Sequence, residues 1–365
     1  MTVVFLIILL PLMAYSVQIV GWYLQWLKTN DYSPNSVSET GLSLIIPFKD
    51  EAVNLPALIA SLKQQSHENW ELILVNDHSK DDSTSLLTDL LADFKVEYRL
   101  INSTQEGKKA ALLEGVRAAQ YTTIVTTDAD CTFHKEWLTT LASYHATHKP
   151  HLLIGPVRIK KSRGFHQRFQ QVDFTALQLS GAGAALQQQA IMCNGANLLC
   201  SKENYLQAHL IPQVASGDDM FLLEWMKHHK KDIHYIKAPQ AMVETAPLVG
   251  LHAFLQQRAR WAAKAPHYKN KHIILSGLLV ALVNIMLFAS LAGSFFYPDF
   301  LKLLSLYLLF KCLSDYLLLK AGGNMYKLRI TLFEVIFWQM FYPFYVITVL
   351  VYPLIVPLKW KSRTL

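Results

Sequence analysis

Apolar residues are distributed along this chain of 365 residues in two different patterns. Long apolar stretches lie at residues 2–27 and beyond residue 272, whereas the sequence between them alternates short apolar runs with amphipathic ones. A helix needs about 20 apolar residues to cross a bilayer core of roughly 30 Å. The pattern therefore predicts membrane segments on both sides of a water-soluble region.

Two of the apolar stretches have the clearest features of membrane spans. Residues 2–27 contain no Lys or Arg and end in an aromatic and basic border, which favours a retained anchor over a cleaved signal peptide. Residues 273–296 contain no charged residue and follow Lys269 and Lys271. The positive-inside rule then predicts that this helix enters the membrane from the cytoplasmic side.

Two further apolar segments are less regular. Residues 303–319 contain Lys311 and Asp315, one helical turn apart, which can neutralise each other inside a helix bundle. Residues 330–358 are interrupted by prolines and fit either one kinked helix or a helix followed by a surface segment. Basic residues after this segment favour a cytoplasmic C-terminus, whereas a count of four spans predicts the opposite side, so the sequence leaves that side open.

Composition agrees with a membrane protein but does not identify its ligand. Hydrophobic residues make up 52% of the chain and the mean hydropathy is +0.20, which is more apolar than is usual for a soluble domain. The formal net charge of +7 suits lipid headgroups, nucleic acid or a phosphorylated substrate equally well. The four cysteines form no CxxC pair, which indicates free thiols in a reducing compartment.

The middle of the chain alternates strand patterns with helical ones. The predicted strands cover residues 42–47, 72–75, 96–101 and 122–127, and the helices between them cover residues 52–65, 81–91 and 108–119. This βαβαβαβ order predicts an α/β domain with a mainly parallel sheet. In open sheets of this kind, ligands bind outside the carboxyl ends of the strands.

Acidic residues follow three of the four predicted strands. They are Asp50 and Glu51, then Asp77, and finally Asp128 and Asp130. Each of them alone is well explained as a turn or helix-capping residue. Together at one sheet edge they would repel one another unless a cation arrives with an anionic substrate. Because magnesium and manganese prefer oxygen ligands, Asp128 and Asp130 are candidate ligands of a divalent cation that also binds a diphosphate.

Five segments, taken in order, resemble the family 2 glycosyltransferases, which have the GT-A fold and use nucleotide-diphosphate sugars. The segments are LSLIIPFKDEAVNLPALIASLKQQSHENWELILVNDHSKDDS, EGKKAALLEGV, TTDADC with its DxD pattern, SGDDMFLL, and QQRARW with its QxxRW pattern. They cover roughly residues 41 to 262. A DxD pattern alone is a weak signal, but five segments in this order, followed by apolar segments, form a specific one.

The resemblance implies a role for each matching residue. It implies that the donor nucleotide is bound by Pro47, Asp50, Glu51, Asp77, Lys108 and Asp128, and the metal, Mg²⁺ or Mn²⁺, by Asp130 with Asp128. It implies that Asp219 is the catalytic base and that the acceptor and the diphosphate lie near Asp218, Gln257, Arg260 and Trp261. The chain departs from the family pattern at Asp50, Asn76 and Asp218, where asparagine, aspartate and glutamate are frequent.

The chemistry of sugar transfer supplies a second argument for three of these residues. Arg260, together with a metal, can bind the departing diphosphate, and Asp219 can accept the proton of an acceptor hydroxyl. Trp261 offers an apolar face for an acceptor held behind the anomeric carbon, and attack from behind inverts that centre. Taken singly, Asp219 also suits the first turn of a helix, and Arg260 and Trp261 also suit a membrane interface.

These observations together predict a membrane-bound inverting glycosyltransferase. Its predicted parts are an N-terminal anchor at residues 1–28, a cytoplasmic GT-A domain at 40–268, and a transmembrane region of about three segments at 273–358. The predicted donor is a nucleotide sugar, in particular a UDP-sugar. The predicted acceptor is a hydroxyl of a membrane lipid or a lipid-linked saccharide, because an apolar segment follows Trp261. The expected location is a bacterial inner membrane, and no nucleic acid partner is expected.

The sequence leaves three alternatives open. The first is transfer to a polyprenyl phosphate, which is already deprotonated, so that the substitution Asp219→Asn would leave such an enzyme largely active. The second is a processive polysaccharide synthase, although so few apolar segments make a polymer channel cramped. The third is a catalytically silent membrane protein that keeps the fold as a scaffold and does not bind UDP in the presence of manganese.

Overall fold

The computed structural model describes residues 2–34, 38–208, 217–360 and 363–364. Its helices are α1 (Thr2–Lys28), α2 (Leu55–Leu62), α3 (Ser83–Leu90), α4 (Lys108–Ala118), α5 (Trp137–His148), α6 (Phe165–Leu186), α7 (Lys202–Gln207), α8 (Asp218–His228), α9 (Leu251–Ala262), α10 (Lys271–Ser294), α11 (Pro298–Gly323), α12 (Leu332–Gln339) and α13 (Tyr342–Ile355). Its strands are β1 (Leu42–Phe48), β2 (Trp70–Asn76), β3 (Tyr98–Asn102), β4 (Thr123–Thr126), β5 (Cys131–Phe133), β6 (Leu152–Ile154), β7 (Val157–Ile159), β8 (Leu198–Ser201), β9 (Ile233–Tyr235), β10 (Val243–Thr245), β11 (Lys359–Trp360) and β12 (Arg363–Thr364).

The chain folds as two compact units. The first, which we call the sheet unit, consists of Asn30–Lys160 and Met192–Ala246. The second, the helical unit, consists of Met1–Thr29, Lys161–Ile191 and Pro247–Leu365. The helices α6 and α9 therefore group with the apolar helices, although both lie within the sequence segment predicted as the catalytic domain.

A seven-stranded mixed sheet forms the centre of the sheet unit. Its strand order is β3-β2-β1-β4-β8-β6-β9, and β1 pairs in parallel with both β2 and β4. Every residue of β1 is buried, which explains why all of them except Ser43 are apolar, because a central strand of a parallel sheet is covered on both faces. The predicted α/β fold with a mainly parallel sheet is confirmed, and β8 adds an antiparallel strand between β4 and β6.

A second, smaller sheet orders three short strands as β5-β10-β7. β10 runs antiparallel to β5 and parallel to β7. An ion pair between Arg158 on β7 and Glu244 on β10 lies across this sheet. The sheet matters for function because β5 begins directly after Asp130, at the DxD segment.

The helical unit is built from long helices that approach closely where one partner has a glycine. α1 packs against α6, α10 and α11. A Cβ atom on Gly183 would lie 2.4 Å from the Cβ of Trp22, and one on Gly322 would lie 2.1 Å from a methyl carbon of Leu179. The two glycines thus make room for large side chains of neighbouring helices, a common device in helix packing within membranes.

Two helices are long and apolar enough to cross a membrane by length and composition. They are Ile8–Lys28, within α1, and Lys271–Ser294, which is α10. The pair α12 and α13, bent by 44°, counts as a third if it is taken as one broken span. Of the two alternatives for residues 330–358, the bend fits a kinked helix. α11 forms a continuous helix over the predicted segment 303–319 but does not meet the same criterion among the described residues.

The two charges predicted to neutralise each other on α11 do so. The Nζ of Lys311 lies 2.8 Å from the Oδ2 of Asp315, and the Lys311 side chain is 1% exposed. Tyr15 on α1 donates to the other carboxylate oxygen of Asp315 at 2.7 Å, and Gln339 on α12 donates to Oδ2. An ion pair with these additional donors satisfies the groups that burial would otherwise leave costly.

Candidate active site

The loops that follow β1 and β2 lie side by side in the sheet unit. The two strands pair in parallel over their full lengths, so Asp50, Glu51 and Asp77 follow at the same edge. Asp50 has a φ of 50°, a left-handed conformation that aspartate tolerates better than most residues, and its Oδ1 accepts a hydrogen bond from the backbone N–H of Lys80 at 2.7 Å. The N–H of Glu51 donates to the Oγ of Ser83 at 2.9 Å. These bonds fasten the two acidic loops to each other.

Pro47 lies inside β1, which is an unusual place for a residue without an N–H group. The pairing of β1 with β4 ends at Ile45 opposite Thr126, two residues before the proline. On the other side Pro47 stands opposite Val75 of β2. The proline thus occupies the end of the strand where the ladder to β4 has already stopped, just before the acidic loop.

Asp77 holds the beginning of α4. It is 1% exposed, and its Oδ1 accepts a hydrogen bond of 2.8 Å from the backbone N–H of Gly107. Gly107 has a φ of 118° at the N-cap of α4, a conformation that favours glycine. Because Lys108 is the next residue, this bond fixes where the Lys108 side chain starts.

Lys108 faces a group of carboxylates. Its Nζ donates to the Oδ1 of Asp128 at 2.6 Å, and both side chains are partly exposed. Burial by itself would lower the pKa of Lys108, but the negative charges of Asp128, Asp218 and Asp219 outweigh burial and raise that pKa well above its ordinary value. Lys108 is therefore a permanent cation that partly offsets three acids.

Gly195 brings the acidic start of α8 to this cluster. Its backbone N–H donates to the Oδ2 of Asp219 at 3.2 Å. A Cβ atom at this position would lie 3.3 Å from the Oδ2 of Asp218 and 3.7 Å from the Nζ of Lys108. A side chain here would press on the Asp218 carboxylate and would be in ordinary van der Waals contact with the Lys108 ammonium, so glycine leaves room for Asp218. Ser216, which opens the SGDDMFLL segment, lies outside the described residues.

Asp130 is anchored separately, by the small sheet. Its Oδ2 accepts a hydrogen bond from the Oγ1 of Thr245 at 3.0 Å, and Thr245 stands opposite Cys131 in the pairing of β10 with β5. Burial, followed by the charges of Asp130 and Asp128, raises the pKa of the Cys131 thiol well above its ordinary value. A thiolate nucleophile at this position is therefore disfavoured.

The two acids of the DxD segment fit a divalent cation by their chemistry. Both offer carboxylate oxygens, both are partly exposed, and Ala129 between them is buried. Across the described ranges, from 2–34 to 363–364, no group of three or more His, Cys, Asp or Glu residues is arranged to hold a metal ion. A cation bound by Asp128 and Asp130 would thus need further oxygen ligands from water or substrate, as magnesium commonly does.

The QxxRW residues lie on α9, in the helical unit. Gln257, Arg260 and Trp261 are each partly exposed. Arg258, between the first and the last two of them, is 4% exposed and belongs to the buried side of the helix. The predicted site residues thus divide into a connected group in the sheet unit and a second group on α9.

Part of the chain matches a known protein family. Residues 43–205 match the family model of Glycosyl transferase family 2. This segment is a family 2 glycosyltransferase domain. It contains the acidic strand ends, Lys108, both acids of the DxD segment and Gly195.

Curated relatives are similar to this chain over part of their length. The undecaprenyl-phosphate 4-deoxy-4-formamido-L-arabinose transferase of Aeromonas hydrophila is 35% identical over 94 residues, which are 24% of this chain and 28% of that protein. The enzyme with the same name from Pectobacterium carotovorum is 31% identical over 124 residues, 33% of this chain and 37% of the relative. The matched regions thus span less than two fifths of either relative.

A solved structure shares the fold. The mannosyltransferase PcManGT from Pyrobaculum calidifontis, in complex with GDP-Man and Mn²⁺, superposes with a TM-score of 0.59 at 17% sequence identity. The match covers 98% of this chain and 100% of the other. At this identity the likeness establishes the GT-A architecture and nothing about ligands.

Of two departures of the glycosyltransferase domain from the family pattern, the one at Asn76 has a structural reason, and the contact at Asp50 does not distinguish aspartate from asparagine. The side-chain amide of Asn76 donates to the Oδ1 of Asn102 at 3.0 Å, while its own Oδ1 accepts from the N–H of Ser79 at 2.9 Å. An ionised aspartate could accept the second bond but could not donate the first. Asp50, in turn, uses a carboxylate oxygen to accept from Lys80, a bond that an asparagine oxygen could also form.

Sequence reasoning missed two residues that organise the site. Gly195 lies in the loop CNGANLLC, which has no periodic pattern, so its contact with Asp219 is visible only in the fold. Arg258 reads in the sequence as one of several basic residues before an apolar span, as interface anchors do. Its burial on α9 shows instead an internal role.

Proposed function

We propose that this chain is a membrane-associated inverting glycosyltransferase. It transfers a sugar from a nucleotide-diphosphate donor, in particular a UDP-sugar, to a hydroxyl group of a lipid or lipid-linked saccharide. The family 2 domain supports the reaction class. The apolar helices α1 and α10 support an acceptor that resides in the membrane.

The observation that carries this proposal is the carboxylate cluster around Lys108. Asp128 follows a strand of the central sheet, and Asp218 and Asp219 begin α8, yet all three act on one ammonium group. Residues from separate parts of the chain that converge at the carboxyl edge of an α/β sheet are typical of a ligand site. An excess of acids over bases there suits a substrate that arrives with a cation.

The proposed roles follow from position and chemistry. Asp219 is the general base, because its carboxylate lies at the start of α8 and is held there by the Gly195 amide. Asp50, Glu51 and Asp77, with Pro47 and Lys108, bind the nucleotide side of the donor. Asp128 and Asp130 hold the divalent cation, which when bound neutralises diphosphate charge.

The helical unit supplies the remaining proposed roles. Arg260 is proposed to bind the diphosphate, and Gln257 and Trp261 to contact the acceptor. Asp218, which begins α8, is separately proposed as a residue of the acceptor or diphosphate group. Lys269 precedes α10 and Lys271 is its first residue, which supports a cytoplasmic site for the glycosyltransferase domain by the positive-inside rule. With an α-linked donor, attack from behind gives a β-linked product.

A donor and acceptor screen tests the proposal. The purified full-length protein is incubated with Mn²⁺, a panel of UDP-, GDP- and dTDP-sugars, and a membrane lipid extract, and the lipids are analysed by mass spectrometry. We expect a lipid whose mass increases by one sugar residue with one of the UDP-sugars. Neither transfer nor Mn²⁺-dependent binding of any nucleotide by calorimetry would indicate a catalytically silent scaffold instead.

A second candidate acceptor is favoured by the names of the relatives. Both relatives described above are named as transferases acting on undecaprenyl phosphate. If this chain acts likewise, the product is a glycosyl phosphodiester, which mild acid cleaves, whereas a glycoside formed on a hydroxyl survives. Acid treatment of the labelled lipid product therefore separates the two candidates.

A further inference from the structure

Arg258 on α9 bonds to side chains of two residues. Its Nε donates to the Oδ2 of Asp173 on α6 at 2.9 Å, and its Nη2 lies at the same distance from that oxygen. The two side chains are 4% and 1% exposed. Both charges are thus removed from water and held against each other inside the helical unit.

Aromatic residues of α13 complete the surroundings of Asp173. The hydroxyl of Tyr342 donates to Oδ1 at 3.3 Å, and the hydroxyl of Tyr345 donates to Oδ2 at 3.5 Å. Phe169, one helical turn before Asp173, packs against the ring of Tyr345 at a centroid distance of 5.1 Å. The Asp173 carboxylate is therefore held by two hydroxyl groups of α13 in addition to Arg258 of α9.

The same guanidinium contacts two of the three QxxRW residues. Its Nη1 donates to the Oε1 of Gln257 at 2.8 Å. Its Cζ lies 4.3 Å from the ring centroid of Trp261 and 4.9 Å from that of Phe254, so the planar group packs against both rings. Gln257 and Trp261 themselves remain partly exposed.

We propose that Arg258, clamped by Asp173, is a positioning residue that sets the side-chain orientations of Gln257 and Trp261. This inference rests on the proposed function, because it assumes that those two residues contact the acceptor. Arg258 itself is buried and touches no substrate. Its effect on transfer is therefore indirect and falls on acceptor binding.

The chemistry of arginine explains why this position needs it. Only a planar guanidinium can direct one edge at a carboxylate and a second N–H at an amide oxygen while its face packs on an indole. Lysine would keep the charge but lose the second direction and the flat face. The pair is also electrically neutral, so it offers no net charge with which to bind a phosphate.

Steady-state kinetics of R258K tests the proposal in the full-length protein. We expect the acceptor KM to rise about tenfold or more, whereas the donor KM changes less than about threefold, since a displaced contact residue mainly weakens the group that it touches. The matched control is R163K, an exposed arginine of the same unit, for which both constants should stay at their original values. Equal changes in both KM values for R258K would overturn the proposal.

A neutral pair separates positioning from stability. In D173N/R258M neither buried group is charged, so the variant avoids the cost of an unpaired ion and should fold. A positioning role predicts the same selective rise in acceptor KM for this double variant at an unchanged thermal midpoint. An unchanged acceptor KM in the double variant would show that the pair of Asp173 and Arg258 contributes only to packing.

A spectroscopic measurement keeps the inference testable even if no transferase activity is found. The chain contains eight tryptophans, and in protein labelled with 5-fluorotryptophan the ¹⁹F resonance of Trp261 is the one that W261F removes. R258K should shift or broaden this resonance, and R163K should leave it in place. An unaltered Trp261 signal in R258K contradicts the inference, whereas an altered signal without any sugar transfer contradicts the proposed function alone.

Discussion

The two units of this protein differ in the balance of their buried and half-buried charges. In the sheet unit, one ammonium group at Lys108 faces three carboxylates, and the side chains of the Lys108 and Asp128 pair are 25% and 34% exposed. In the helical unit, Arg258 pairs with Asp173 and Lys311 pairs with Asp315. Three of these four side chains are less than 5% exposed, and Asp315 is 15% exposed.

The difference indicates what each arrangement is for. An excess of acids at a partly open sheet edge raises the free energy of the ligand-free protein, because the carboxylates repel one another. Binding of a cation with an anionic substrate relieves this repulsion. A buried ion pair whose groups are all hydrogen-bonded has no net charge to attract a ligand. Removing one partner destabilises the protein strongly, because the other charge stays buried without a counterion. The acidic cluster is therefore suited to binding a substrate, and the buried ion pairs are suited to holding side chains in a fixed orientation.

Among substitutions in the sheet unit, replacement of the proposed base Asp219 should reduce the rate of transfer most. Asp219→Asn keeps the side-chain volume and can still accept from Gly195, but it cannot take a proton, so we expect kcat with a hydroxyl acceptor to fall by about 10²- to 10⁴-fold. The donor KM should change little. Initial rates measured by release of the nucleoside diphosphate provide the test.

The matched control is Glu203→Gln, an exposed acid on α7 whose partner is Gln207. Its rates should equal those of the original protein. If Asp219→Asn retains most of its activity, and the labelled lipid is acid-labile, then the acceptor is a phosphate and no base is required.

The clearest test of the comparison is the stability of two Asp→Asn variants. Asp173→Asn leaves the buried Arg258 without its counterion, which typically costs about 3–5 kcal/mol. Asp128→Asn removes a partly exposed partner of Lys108, which keeps two other acids nearby, so we expect a change within about 1 kcal/mol. Thermal midpoints in the same detergent, without added cations, measure both.

Similar midpoints for the two variants would contradict the distinction drawn between the units. A rise in the midpoint of Asp128→Asn would strengthen it, because relief of repulsion among the acids would then exceed the loss of the ion pair. Adding Mn²⁺ should stabilise the original protein more than Asp128→Asn, since only the former keeps both acids of the DxD segment.

Most of the fold could be predicted because its signals are local. The apolar runs of β1, β2 and β4 and the acids that follow them are read directly from the sequence, and the parallel pairing of these strands places the acids at one edge. The pair of Lys311 and Asp315 was also predictable, since residues four apart on a helix face each other.

The remaining features depend on contacts between distant parts of the chain. Asp173 and Arg258 are 85 positions apart, and no sequence pattern indicates that they form a pair. Gly195 and Asp219 are 24 positions apart and meet only because the loop before β8 passes the start of α8. The same holds for the grouping of α6 with the apolar helices, because its apolar face fits a bilayer surface and a helix bundle equally well.

Lys108→Met should change the affinity for a divalent cation, by a smaller factor than Asp219→Asn changes kcat. Removing the ammonium leaves Asp128, Asp218 and Asp219 without its offsetting charge, so we expect Mn²⁺ to bind about tenfold more tightly, as measured by calorimetry. The pKa of Lys108 is raised, so the group stays protonated from pH 6 to its ordinary value of about 10.4 and beyond. The difference between variant and original should therefore not depend on pH between about 6 and 9.

The control for this substitution is Lys109→Met, the adjacent residue of α4, whose ammonium lies over the ring of Phe221. Its Mn²⁺ affinity should remain within about twofold of the original value, because Coulombic effects weaken with distance and solvent screening. Unchanged Mn²⁺ binding in Lys108→Met would show that Lys108 does not compensate the acids that bind the cation.

The smallest expected effect comes from Gly195→Ala. The added Cβ would lie 3.3 Å from the Oδ2 of Asp218, so this carboxylate must move by a few tenths of an ångström, whereas the 3.6 Å to the Cβ of Asp219 is an ordinary van der Waals contact. We expect kcat to fall by about two- to fivefold, since catalysis is sensitive to small displacements of groups beside a base, while donor binding is retained. The control Gly277→Ala adds a methyl group that meets no atom within 4 Å, on α10, and should leave kcat unchanged. If both variants turn over at the original rate, then the close approach at Gly195 tolerates a methyl group, and the position of Asp219 is set by α8 alone.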